Sequence, residues 1–80
     1  MLEKNEIRFI KLVGKKLREK RLAKNLSQTM LSYDANIPKS QIGRIERGEI
    51  NTTIGTLFKI CKALDIEFKD LILWLQLNSI

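Results

Sequence analysis

SQTMLSYDANIPKSQIGRIERG, residues 27–48, reads as two short helices joined by one tight turn. Ser27 is a good N-cap for a helix running to about Ala35, because its hydroxyl can accept an orphan backbone N–H. Asn36 suits a left-handed turn position, which few residues other than glycine visit readily. Pro38 stands at the mouth of a second helix, where its missing N–H costs nothing. Gly48 follows that helix where a terminating glycine belongs. Leu31, Ala35, Ile37, Ile42 and Ile45 fall where they can close a small apolar core between the two helices. Lys39, Ser40, Gly43, Arg44 and Arg47 are then left facing outward, on a surface almost free of acidic side chains. A short, exposed, basic helix locked at a steep angle to its partner fits a DNA major groove.

The rest of the chain is consistent with one small domain over residues 1–80. Eighty residues leave no room for a separate effector-binding module. A chain of this size buries only about 60% of its unfolded surface, so a monomer has modest stability. Its 44% hydrophobic content is enough for one core and high enough to raise the question of a partner. The net charge is +6, and its distribution is uneven. Residues 1–48 hold twelve Lys/Arg and five Asp/Glu, whereas residues 49–80 hold three and four. The half carrying the proposed reading helices is therefore the half that faces a polyanion.

A single cysteine, Cys61, excludes an internal disulfide framework and fits a reducing, cytoplasmic setting. The apolar run from Leu71 to Leu77 is too short to span a bilayer, and no signal peptide is visible. Histidine is absent, as is any glycine-rich phosphate loop, metal-ligand cluster or nucleophile–base set. No cofactor, metal or small-molecule ligand is expected, and enzymatic function has little support.

The periodicity predicts an all-helical chain. Helix one spans about Asn5 to Lys24, with Ile10, Val13, Leu17 and then Arg21 at helical spacing. After the central pair, Thr53 is a plausible N-cap for a fourth helix over Ile54–Leu64, whose Leu57, Ile60, Cys61 and Leu64 form a core stripe. Cys61 on that stripe reads as a small buried hydrophobe. A fifth helix, about Phe68 to Leu77, closes a compact bundle.

Two longer runs make the pattern specific: VGKKLREKRLAKNLSQ, Val13 to Gln28, and IPKSQIGRIERGEINTTIGTLFKICKALDI from Ile37 onward. Together they resemble the Cro/phage-repressor, or Xre, class of helix-turn-helix domains over roughly residues 13–73. The strongest matches are Leu26-Ser27-Gln28, Ile42, Ile45-Glu46-Arg47-Gly48 and Ile60 through Leu64. Asn25 and Asn36 stand where glycine is common in that class. The resemblance implies a five-helix, lambda-repressor-like DNA-binding domain with the helix-turn-helix at helices two and three.

It also implies roles for individual residues. Lys39, Ser40 and Arg44 match positions that reach base edges, where Arg and Lys favour the guanine O6/N7 pair. Gln41 is expected at the groove edge, on a phosphate or a base. Gly43 is costly inside a helix, and is expected because a side chain there would crowd the DNA or helix two. Ser27 and Gln28 open a helix without acidic residues in its first turn, an end that favours a phosphate. Arg47, Asn51 and Thr52 are phosphate candidates at the other flank, positioning the protein without reading sequence. Arg21 and Glu46 match an internal ion pair that ties helix one to helix three. Lys4, Arg8, Lys11, Lys15 and Arg18 make a basic stripe whose default reading is a solvated face.

The C-terminal run DLILWLQLNSI carries a second signal. Leu71, Ile72, Leu73, Trp74, Leu75, Leu77 and Ile80 ring the last helix on nearly all sides, more than one buried face requires. A dimerisation segment over about residues 68–80 accounts for them, with Leu71, Trp74, Leu75 and Leu77 at the interface and Trp74 as anchor. Leu2, Ile7 and Phe9 could cover the same surface instead. A twofold dimer sets two reading helices about 34 Å apart and demands a near-palindromic site. The expected partners are double-stranded DNA and a second copy of the chain, with no membrane. The expected function is an autoregulatory or repressor-like transcriptional regulator, similar to restriction–modification controllers. The alternative is an antitoxin-type module whose apolar C-terminus grips another protein.

Overall fold

The computed structural model describes residues 2–78. Five helices follow one another: α1 (Lys4–Ala23), α2 (Gln28–Ala35), α3 (Lys39–Glu46), α4 (Ile54–Ala63) and α5 (Phe68–Asn78). The expected boundaries hold to within a residue or so, because most are fixed by local chemistry. Ser27 caps α2 by accepting from the Met30 N–H at 3.0 Å, and Thr53 caps α4 by accepting from Thr56 at 3.1 Å. Pro38 stands just before α3 as its N-cap, and the Pro38 carbonyl accepts from Gln41 and Ile42.

The helix exits share one device. Asn25, Asn36, Gly48 and Asp65 sit in the left-handed region, at φ of 57°, 56°, 70° and 58°. At each exit the next residue's N–H reaches back to the preceding turn: Leu26 to Arg21, Ile37 to Ser32, Glu49 to Arg44 and Ile66 to Cys61. This closure satisfies carbonyls that a helix end otherwise leaves orphaned. Asn and Asp tolerate the left-handed conformation, so Asn25 and Asn36 serve at these exits without a glycine. Asp65 is a third such position, which periodicity alone does not reveal.

The core runs through all five helices. Val13 and Leu17 of α1 meet Leu31 and Ala35 of α2, Ile42 and Ile45 of α3, Ile60, Cys61 and Leu64 at α4, and Leu71 and Leu75 of α5. Leu57 is only partly buried against this cluster. The apolar set expected between α2 and α3, with Ile37 from the turn, is buried in full.

The contact that sets the tilt of α3 is made by backbone. A Cβ added at Gly14 of α1 would collide with the Ile45 carbonyl oxygen and lie 2.7 Å from that of Glu46. One added at Gly48 would meet Lys11 Cα at 2.9 Å. Glycine at these two positions lets α1 lie against the last turn of α3 closer than any side chain would permit.

No helix is long and apolar enough to cross a membrane, among the described residues.

Candidate nucleic-acid interface

The surface opposite the core is built around α3. Lys39, Ser40 and Arg44 are exposed on it, and Gln41 is half-buried beside them. α3 has no acidic residue in its first turn. Its one carboxylate, Glu46, is turned inward and fully committed.

That commitment anchors the helix. Arg21 Nε donates to Glu46 Oε2 at 2.7 Å and Arg21 Nη2 to Oε1 at 3.0 Å, a fork-on-fork pair with both residues 7% exposed. Arg21 Nη1 donates to the Leu26 carbonyl at 2.8 Å, and Gln28 Nε2 to Glu46 Oε1 at 3.1 Å. One carboxylate thereby links α1, the turn after it, the start of α2 and the end of α3. The hydrogen bonds to Glu46 raise the Arg21 pKa further above its ordinary value. Removing either partner would leave an uncompensated buried charge, at a cost of about 3–5 kcal/mol.

The remaining expected contacts are placed less uniformly. Ser27 is exposed, and its hydroxyl, an acceptor in the cap, keeps a proton to donate. Gln28 spends one amide N–H on Glu46 and keeps the second. Arg47 is exposed but engaged: Nε donates to Glu49 Oε2 at 2.7 Å and Nη2 to Oε1 at 3.2 Å. Asn51 is exposed on the following loop.

Thr52 departs from expectation. Its hydroxyl is enclosed without a protein partner, beside a cavity of about 70 Å³ that Phe9, Ile10, Val13 and Ile50 also line. The apolar residues flanking the loop turn this side chain inward, and its hydroxyl has no surface to offer a phosphate. Gly43 departs as well, being buried rather than outward. A Cβ there would lie 2.9 Å from Arg47 Nη1 and 3.7 Å from Gln28 Nε2. Gly43 therefore leaves space that Arg47 folds into. Gln28 and Arg47, expected at opposite flanks, come together above the same bare stretch of α3.

The last helix also corrects the reading. Leu71 and Leu75 are each 2% exposed, held in the chain's own core, and so are not free to face a second copy. Trp74 is half-buried, with Lys16 Nζ 4.4 Å from its ring centroid, a cation–π arrangement that covers one ring face. Leu77 is 72% exposed, and Ile72 and Leu73 are exposed beside it. Ile54 and Phe58 on α4 are exposed too, which the core-stripe reading of that helix missed. They precede and interrupt the Leu57–Leu64 stripe, and apolar residues off a stripe were the available signal. Ile80 lies outside the described residues.

A helix-turn-helix family model matches residues 17–71. The chain belongs to the helix-turn-helix family. It is 41% identical over 69 residues to the control protein C.BamHI of Bacillus amyloliquefaciens, covering 85% of this chain and 83% of that protein. The crystal structure of the restriction-modification controller C.AhdI from Aeromonas hydrophila superposes with a TM-score of 0.74 at 39% identity, over 80% of this chain and 96% of that one. The controller C.Esp1396I, solved as a tetramer with its natural 35 base-pair operator, superposes with a TM-score of 0.80 at 28% identity, over 89% and 93%. Membership of this family makes the helix-turn-helix chain a sequence-specific, DNA-binding regulator of transcription. α2 and α3 are its helix-turn-helix.

Proposed function

We propose that the chain is a homodimeric, non-catalytic regulator of the restriction–modification controller type, acting in the cytoplasm on a near-palindromic operator. The observation that carries this reading is the exposed trio Lys39, Ser40 and Arg44 on a helix held by the buried Arg21–Glu46 pair and by the close backbone approach at Gly14. A reading head of this kind enters the major groove N-terminus first, with early residues on base edges. In this reading Lys39, Ser40, Gln41 and Arg44 face bases. Ser27, Gln28, Arg47 and Asn51 hold phosphates, with the first-turn N–H groups of α2 beside them.

Likeness to C.BamHI, C.AhdI and C.Esp1396I supports the controller assignment. Apolar side chains left in water support self-association: Ile72, Leu73 and Leu77 on α5, with Ile54 and Phe58 on α4. Occupancy responds to concentration, because dimerisation and operator binding rise together by mass action. Selection from a pool of random duplexes tests the reading. The expected product is an inverted repeat with half-site centres about 34 Å apart. Recovery of no preferred sequence would refute it.

A further inference from the structure

We infer that Glu49 is a positioning residue for DNA binding: its carboxylate clasps Arg47 in the free protein and stands in for a phosphate, restraining binding to duplex of unrelated sequence. This rests on the operator-binding reading above.

The helix exits single out Glu49. After three of the four left-handed residues comes an apolar side chain packed on the core, namely Leu26, Ile37 and Ile66. Such a contact commonly completes this kind of helix ending. After Gly48 comes Glu49, exposed and charged, making no apolar contribution to the helix end. What it does instead is hold Arg47 by both oxygens, at 2.7 and 3.2 Å. Both groups are about half exposed, the setting in which an ion pair adds little to folding stability. The consequence of this pair therefore falls on what Arg47 can bind.

The geometry defines that consequence. Glu49 occupies the Nε edge of the guanidinium and one N–H of Nη2. Nη1 remains, directed over Gly43 toward Gln28. Arginine carries five N–H donors in a rigid fork, so a phosphate can still be met on the Nη1 side while the clasp persists. At the operator, α3 seated in the groove brings one phosphate to that side in a fixed position. On unrelated duplex no such register exists, and the backbone must compete with a carboxylate that is already in place. Arg47 in turn holds the Glu49 carboxyl below its ordinary pKa, so the clasp is lost only on acidification below the usual carboxylate range.

The test compares the parent chain with E49Q, R47Q and the double variant, each first checked for unchanged helical circular dichroism. Binding is measured to a selected operator and to an unrelated duplex of equal length across a salt series. E49Q is expected to tighten unrelated-duplex binding roughly three- to tenfold at low salt and steepen its salt slope by about 0.9, one further phosphate neutralised. Operator binding should gain less, so the ratio between the two falls. In the R47Q background, E49Q should produce a clearly smaller gain; in R47Q alone, which keeps Glu49, that carboxyl should titrate nearer its ordinary value by NMR. An equal gain in both backgrounds, or no gain in either, overturns the inference while leaving operator binding standing. A parent chain that binds no duplex overturns the operator-binding reading and this inference with it.

Discussion

Lys39 and Arg44, the two cations on α3, are both exposed and free of an ion-pair partner, among the described residues. Each can therefore be removed without disturbing the fold. K39A and R44A are expected to relax preference at particular base pairs, by about 1–3 kcal/mol of discrimination for each lost bidentate contact. Thermal melting should stay at the parent value. Unchanged preference in a binding-site selection would place these side chains outside the groove. Glu46 stands at the opposite extreme: an acidic residue on the reading helix that never meets solvent, because Arg21 and Gln28 take up its two oxygens. The Arg21–Glu46 pairing was legible in the sequence through family resemblance. The engagement of Gln28 with the same carboxylate was not, since eighteen residues of chain separate them and neither residue type demands the other.

Helix limits were legible because the groups that set them are neighbours in sequence: a hydroxyl three residues from its N–H, an asparagine one step past the last turn. The tilt of α3 was not, because it depends on atoms that are missing. Gly14 lies in the middle of a twenty-residue helix, where glycine costs about 1 kcal/mol relative to alanine. Its reason is visible only once the Ile45 and Glu46 carbonyls are seen pressed against it. The penalty itself was the available clue. G14A gains the propensity term yet forces α1 away from α3, and the second effect dominates because both obstacles are backbone oxygens. A net loss of about 1–3 kcal/mol is expected, as for other overpacked sites. For a domain of this size that lowers the melting temperature by about 4–8 °C per kcal/mol. A variant melting at or above the parent temperature would show that the two helices separate freely.

α5 shows why composition could suggest a partner without naming the residues that meet it. Its apolar side chains occur on nearly every face, so periodicity alone does not divide core from surface. Packing against α1 and α4 makes the division, taking Leu71 and Leu75 inward and leaving Leu73 and Leu77 in water. Two kinds of variant should therefore separate cleanly. L71A is expected to cost about 2–5 kcal/mol of folding stability, as a core truncation does. L73S with L77S should leave the melting transition of dilute protein nearly unchanged while shifting sedimentation toward the monomer and weakening operator binding. Equal sedimentation of parent and double variant would move the interface elsewhere. Trp74 lies at the boundary between these two sets, its ring beneath the Lys16 ammonium where α1 meets α5. It is also the sole tryptophan of the chain. Ultraviolet emission from that lone indole is thus an unlabelled optical gauge: detachment of α5 from α1 would withdraw the ammonium and admit solvent, altering colour and quantum yield from a single known location.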